Sequence, residues 1–344
     1  MLKRDIDIIL SAKADWKKLQ DATVLVTGAT GRLGIYIVNA LVGASRDFGL
    51  NIKVLALARN PEKIAASYPE EMEEVVFLQQ DVISPIEWDG PVDYIFHTAG
   101  LASPSDFTTR PVNTLWGHVQ GTQNVLELAK EKQTKKVLYV STVEVYGTWK
   151  SEDYIKEDDM GPLVHTNSRA CYPEAKRLCE TMLACYKAEY GVDYVGIRMS
   201  HTFGPGISLY DGRAFAEFIR NVVQGEDIVL QSDGSAVRTY TYTADAVGAM
   251  FLALLNGTED YYNVASIDNQ ISIRDLAELI ASMDPKKKVQ VRFATKPGQK
   301  LLYLPFKLGI IDSTKMLELG WEPKVDIEHA FRWTLESFLE EGEK

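Results

Sequence analysis

The chain has 344 residues, 46% of them apolar and 25% charged, and its 37 lysines and arginines against 48 aspartates and glutamates leave a net charge of −11. This is the composition of a globular protein, long enough for a large core and two lobes. The acidic balance argues against a nucleic-acid partner, and no apolar run is long enough to span a membrane. The opening Met1-Leu2-Lys3-Arg4-Asp5-Ile6-Asp7 lacks the apolar core of a secretory signal, so a cytoplasmic protein is expected. Cys171, Cys179 and Cys185 provide neither an even disulfide framework nor a paired ligand spacing. Reduced, buried thiols in or beside one helix are expected, and no metal site.

Residues 1–21 read as an amphipathic helix, with Ile6, Ile9, Leu10 and Trp16 near helical spacing amid charges. This is an N-terminal helical extension packed on the core. Strands and helices then alternate. Strands are predicted at 23–27, 53–58, 75–78, 94–98, 137–141 and 194–199, with helices at 32–42, 119–131 and 172–190. Apolar strands alternating with helices predict an α/β protein with a parallel sheet covered on both faces. After Gly204-Pro205-Gly206 the elements shorten and aromatics and turns multiply. Residues 22–203 are therefore expected to form the first domain, with a return around 238–255, and residues 204–344 mainly a smaller substrate-binding lobe.

Thr27-Gly28-Ala29-Thr30-Gly31-Arg32-Leu33-Gly34 follows the first strand and opens a helix. Gly28 permits the tight turn, Gly31 lets the backbone approach a pyrophosphate, and Gly34 lets helix and strand pack closely. The GxxGxxG spacing is that of short-chain dehydrogenases and predicts a dinucleotide site on a Rossmann-type, doubly wound sheet. An acid for the ribose hydroxyls is missing after the second strand, where the sequence reads Leu57-Ala58-Arg59-Asn60. Arg59 with Arg32 is suited to a 2′-phosphate, which leaves NADP open beside NAD.

Ser141-Thr142-Val143-Glu144-Val145-Tyr146-Gly147 ends a predicted strand, and Tyr172-Pro173-Glu174-Ala175-Lys176 opens a predicted helix with Tyr172 and Lys176 on one face. A tyrosine becomes a base near neutrality only if its phenolate is favoured by roughly 4 kcal/mol, which Lys176 and a positive nicotinamide are expected to supply. Thr142 would orient a substrate hydroxyl for deprotonation by Tyr172. Strand alternation puts Glu144 on the side of Thr142, so a carboxylate joins the site. Together these residues describe a nicotinamide enzyme that oxidises an alcohol.

From Gly28 to about Pro323 the chain resembles the extended short-chain dehydrogenases of the NAD-dependent epimerase/dehydratase family, which act on nucleotide sugars. The resemblance is carried by His97-Thr98-Ala99-Gly100 with Ser103-Pro104, by the stretch from Ser141 to Gly147, and by Arg169-Ala170-Cys171-Tyr172 with Lys176-Arg177. Arg198, Thr202-Phe203-Gly204-Pro205, Asp211-Gly212-Arg213, Gly234 to Tyr240 and Leu319-Gly320-Trp321-Glu322-Pro323 extend it. Within the group it is most similar to the UDP-glucuronate decarboxylases, or UDP-xylose synthases. The resemblance implies NAD, a nucleotide-sugar substrate and a homodimer built from two helices per subunit. It also implies catalytic roles for Thr142, Glu144, Tyr172 and Lys176. On the cofactor side it implies Gly28, Thr30, Gly31, Arg32, Leu33, Gly34, Arg59, Asp81, Val82, Thr98 and Ala99 together with Tyr172 and Lys176, and on the substrate side Ser103, Glu144, His201, Arg213 and Arg238. The related 4,6-dehydratases carry Thr-Asp-Glu where this chain has Thr142-Val143-Glu144, and Val143 has no proton to give. His118 and His201 replace frequent asparagines, and only Lys307 lies near the position of an arginine that the decarboxylases carry. A 4-epimerase, a 4,6-dehydratase and a net reductase remain alternatives.

Overall fold

The computed structural model describes residues 3–68, 72–294 and 309–342. Its main sheet takes six strands from the region where the sequence alternates: β1 (Thr23–Thr27), β2 (Lys53–Leu57), β3 (Val75–Leu78), β4 (Tyr94–His97), β5 (Lys136–Thr142) and β6 (Tyr194–Met199). They pair in parallel in the order β3-β2-β1-β4-β5-β6. The order reverses between β1 and β4, and in such sheets ligands bind in the crevice beyond the carboxyl ends at that point.

Successive strand residues feed opposite faces. Val24, Val26, Val54, Ala56 and Phe96 join one core cluster, while Leu25, Leu55, Ile95, Val137 and Tyr139 join the other. Of the helices α1 (Lys3–Leu10), α2 (Arg32–Phe48), α3 (Pro61–Ser67), α4 (Pro104–Thr109), α5 (Pro111–Lys132) and α6 (Cys171–Tyr190), α2 packs on the first face and α5 and α6 on the second. The doubly wound parallel sheet expected from the sequence is present.

Beyond β6 come β7 (His201–Phe203), α7 (Ala214–Gln224), β8 (Ile228–Leu230), β9 (Val237–Tyr242), α8 (Thr243–Asn256), β10 (Tyr261–Val264), β11 (Gln270–Ser272), α9 (Ile273–Ser282) and β12 (Val291–Phe293). β9 lies between β7, parallel to it, and β11, antiparallel to it. α8 is buried along almost its whole length, joins the core with α2, and delivers β10 as a seventh parallel strand beside β6.

Several elements differ from the sequence expectation. The helix over residues 1–21 breaks after Leu10 and resumes as a single 3₁₀ turn, Trp16–Leu19. Trp16 draws the chain inward by packing on Phe48 and Phe251, with ring centroids 5.7 and 4.7 Å away. α5 starts already at Pro111, where a missing N–H is harmless in a first turn. β10 escaped the reading because Tyr261-Tyr262-Asn263-Val264 is short and its apolar character is aromatic. The three cysteines do share α6, but Cys185 is exposed; only Cys171 and Cys179 are buried.

A buried polar network stands under the carboxyl end of β5. The Arg198 Nε and Nη2 donate to the two Glu180 oxygens at 3.1 and 2.8 Å, and the Ser141 hydroxyl donates to Glu180 Oε1 at 2.6 Å. Arg198 Nη1 also donates to the Tyr146 hydroxyl, which in turn donates to Asn263 Oδ1 at 2.6 Å. β5, β6, α6 and β10 are thereby locked around Thr142. Glu180→Ala leaves Arg198, 3% exposed, without its counter-charge and is expected to cost about 3–5 kcal/mol in a urea unfolding titration. An unchanged midpoint would contradict this role.

Candidate active site

The glycine loop forms a cradle. Gly28 has φ +68°, and a Cβ there would lie 2.9 Å from the Ala99 Cα. A Cβ on Gly34 would come within 2.3 Å of the Gly28 carbonyl oxygen, so both positions require glycine. Gly31 caps α2 without a side-chain partner, leaving the first helical N–H groups directed out of the loop. Thr30 is half-buried in the loop, and Leu33 packs its stem on the core. Thr98 donates to the Thr27 carbonyl at 2.7 Å, which draws Thr98 and Ala99 alongside the loop. This geometry accommodates the pyrophosphate of a dinucleotide.

Arg32 and Arg59 do not come together. Arg59 pairs with Asp81 at 3.2 Å beyond β2 and β3, beside Val82. Arg32 turns the other way, and its Nη2 donates to the Thr202 carbonyl at 2.8 Å. Burial, with Arg213 nearby, pulls Arg32 down to about 10. Each arginine is thus engaged by a different partner, Asp81 or the Thr202 carbonyl.

At the end of β5, Thr142 caps a 3₁₀ turn, Val143–Tyr146, by accepting the Glu144 N–H at 3.2 Å. Glu144 reaches the site through this turn, not through strand alternation as expected. Its Oε1 accepts from Arg169 Nη2 at 3.0 Å, and the two side chains are only 14% and 13% exposed. The Tyr172 ring stacks on Phe107, with centroids 4.3 Å apart, and meets His118 at 5.4 Å. His118 is fixed by its Nε2 contact to the Leu101 carbonyl at 2.9 Å, packs against Gly100, and is held well below the ordinary histidine range by burial and by Lys176.

The strongest influences on Tyr172 are burial and groups other than Lys176. Burial and then Glu144 push the Tyr172 phenol up to about 12, while a hydrogen bond from Thr142 and the charges of Arg213 and Arg169 pull it down. Lys176 spends its ammonium on the Val140 carbonyl, 2.7 Å away, and lies 4.6 Å from the Tyr139 ring centroid and 5.9 Å from that of Tyr172. Burial lowers it to about 8.

On the opposite wall, His201 and Arg238 line one hollow with Val143 and Ser200. Burial, then Arg238 and Arg213, hold His201 down to about 3, so it is neutral near pH 7. Arg213 joins Asp211 at 3.1 Å and donates to the Ala102 carbonyl at 2.7 Å, bridging the segments before α7 and α4. Ser103 is engaged as the cap of α4, accepting the Asp106 N–H and donating to the Asp106 carboxylate at 2.8 Å. Lys307 lies outside the described residues.

The site residue that sequence reasoning did not single out is Arg169. It was visible as a cation at the mouth of a helix, which the helix dipole disfavours unless an anion answers it. Phe107 gave no comparable signal.

The model of the NAD dependent epimerase/dehydratase family matches residues 24–265, and the chain belongs to that family. A UDP-glucuronic acid decarboxylase 1 from Xenopus tropicalis is 30% identical over 340 residues, covering 93% of this chain and 73% of that protein. Two solved structures, each 24% identical, share the fold. A UDP-glucose 4-epimerase from Thermotoga maritima with UDP-glucose has a TM-score of 0.76, over 93% of this chain and 99% of that one. A UDP-glucose 4-epimerase from Thermus thermophilus in complex with NAD has a TM-score of 0.72, over 92% and 99%.

The lowered lysine yields a stability prediction. A base depressed from 10.5 to about 8 makes folding bind fewer protons between those values, so its charge costs about 3 kcal/mol below pH 8 and nothing above pH 10.5. Lys176→Met is expected to unfold at higher urea than the native chain at pH 7, by ~1–2 kcal/mol after loss of the Val140 contact, with the advantage shrinking as pH rises from about 8 to 10.5. A less stable variant at pH 7 would refute the burial cost.

Proposed function

We propose that this chain decarboxylates a UDP-glucuronate-like nucleotide sugar in a redox-neutral cycle with a retained NAD. The observation that carries the reading is Glu144, a carboxylate set beside Tyr172 by the turn that Thr142 caps. The similarity to a UDP-glucuronic acid decarboxylase over most of both chains supports it. NAD is favoured because Arg59 is already held by Asp81 and Arg32 by Thr202. Gly28, Thr30, Gly31, Arg32, Leu33 and Gly34 would surround its pyrophosphate, with Asp81 and Val82 toward the adenine and Thr98 and Ala99 between.

When bound, the nicotinamide supplies a hydride acceptor and donor for the sugar C4 and a positive charge near Tyr172. Thr142 holds the 4-hydroxyl, and Tyr172 takes its proton and later returns it. Lys176 braces the strand end beneath them and adds positive charge. The 4-ketone lies β to the carboxylate, so carbon dioxide leaves with its bonding electrons delocalised into an enolate, which is then protonated at C5. Glu144 orients the sugar and repels its carboxylate in the ground state, a repulsion that ends as carbon dioxide departs. Arg238 and Arg213, with neutral His201, would hold the diphosphate. Val143 is buried and apolar, so no acid stands where a 4,6-dehydratase needs one for its departing hydroxyl. A 4-epimerase is the second reading, since Thr142 and Tyr172 alone suffice for it.

We further propose a cytoplasmic homodimer joined through α5 and α6, whose exposed Val112, Trp116 and Leu178 suit such a contact. Among the described residues no helix is long and apolar enough to cross a membrane.

Release of labelled carbon dioxide from carboxyl-labelled UDP-glucuronate tests the reaction. Tyr172→Phe is expected to lose on the order of 10²–10⁴-fold in rate and Glu144→Ala a similar factor. Undiminished release from Glu144→Ala would sink the decarboxylase reading. Interconversion of UDP-glucose and UDP-galactose, unaffected by that change, would establish the epimerase instead.

A further inference from the structure

We propose that Arg169 is a positioning residue that pins the Glu144 carboxylate and cancels its charge at the Tyr172 phenol, so that the two can share one buried site. The proposal rests on the reading of Tyr172 as the base. Arg169 sits on the 3₁₀ turn Ser168–Ala170, immediately before α6, and donates from Nη2 to Glu144 Oε1 at 3.0 Å. Its guanidinium carbon lies 4.6 Å from the centroid of the Phe107 ring, whose other neighbour is the stacked Tyr172 ring, tilted by 16°. Arginine, phenylalanine and tyrosine thus form one packed assembly with the carboxylate at its edge.

The contact is single. Arg169 Nη1 and Glu144 Oε2 are buried and have no partner. A pair serving stability alone would close both bonds, since each buried unpaired polar atom costs about 1–3 kcal/mol. Here one donor and one acceptor remain for a sugar substituent. A cation at a helix amino end also works against the helix dipole, so local stability does not explain it.

The charge balance points the same way. The groups bearing on the Tyr172 phenol are Glu144 from the turn after β5, Arg169 and Lys176 at the start of α6, Arg213 before α7, His118 from α5 and Tyr139 from β5. His118 is neutral near pH 7, and Lys176 faces the Val140 carbonyl. Glu144 opposes the phenolate, and Arg169 is the cation in direct contact with Glu144. Removing Arg169 leaves a buried, uncompensated carboxylate beside the hydroxyl that must ionise.

The test is the pH dependence of kcat/KM for the holoenzyme acting on UDP-glucuronate or, if that is not turned over, UDP-glucose. Arg169→Met is expected to move the acidic limb up by about one unit, a roughly tenfold loss at pH 7 that recovers as pH rises through the shifted limb. Arg169→Lys keeps the charge and should hold the limb near its native position, while its lost planar fork raises KM. The same fractional loss at every pH, or a folded but wholly inactive Arg169→Met, overturns the proposal. A limb displaced equally by Arg169→Lys overturns it as well. Failure of the underlying reading shows separately, as a Tyr172→Phe variant that keeps both its turnover and the acidic limb.

Discussion

Tyr172 is buried between Phe107 and His118, and that burial constrains everything else at the site. Burial, with Glu144, raises the phenol to about 12, and the burial of the neighbouring Lys176 lowers its ammonium to about 8. Both groups are driven toward neutrality, while proton abstraction requires charge. Bringing a phenol from 12 to neutrality takes roughly 7 kcal/mol of added stabilisation of the phenolate. Thr142, Arg213 and Arg169 already hold the phenol down to about 12 against burial and Glu144, and a positive nicotinamide would add to their pull. Burial thus keeps the tyrosine protonated near neutral pH, and its use as a base would need further positive charge beside it.

The scaffold explains how these groups stay in register. The parallel pairing aligns Thr27 with His97 and Thr142 with Met199, so the glycine loop and the Thr142 turn emerge on the same edge of the sheet. Beneath that edge, Glu180 and Arg198 fix Ser141 and Tyr146 on either side of the turn that carries Glu144. The ion pair is fully enclosed, and its satisfied hydrogen bonds hold the backbone rigidly where a misplacement of an ångström would matter to proton transfer. Across the crevice, Arg213 links the segment before α4 to that before α7 and braces that wall.

Much of this was legible in the sequence because it depends on local rules. Apolar strands, the glycine spacing and the Tyr172–Lys176 interval are short-range patterns, and they predicted six strands of the main sheet and the tight glycine turn that opens α2. What was not legible depends on partners distant in sequence. Arg59 follows Asp81 and Arg32 follows Thr202, neither contact being implied by neighbouring residues. Glu144 was read on an extended segment, but Thr142 caps a turn instead, and the carboxylate arrives by a different route. The capping of α4 by the Ser103 hydroxyl was likewise not read. Spacing also places the Lys176 side chain without revealing its hydrogen bond, here to the Val140 carbonyl.

The most direct test is to incubate the purified chain with UDP-glucuronate in heavy water, with no added cofactor, and to weigh the sugar nucleotide formed. Transient oxidation at C4 with a retained cofactor predicts a UDP-pentose lighter by carbon dioxide and carrying one carbon-bound deuteron. An unlabelled isomer of the starting mass, or a product that appears only with stoichiometric added nicotinamide, would contradict the account.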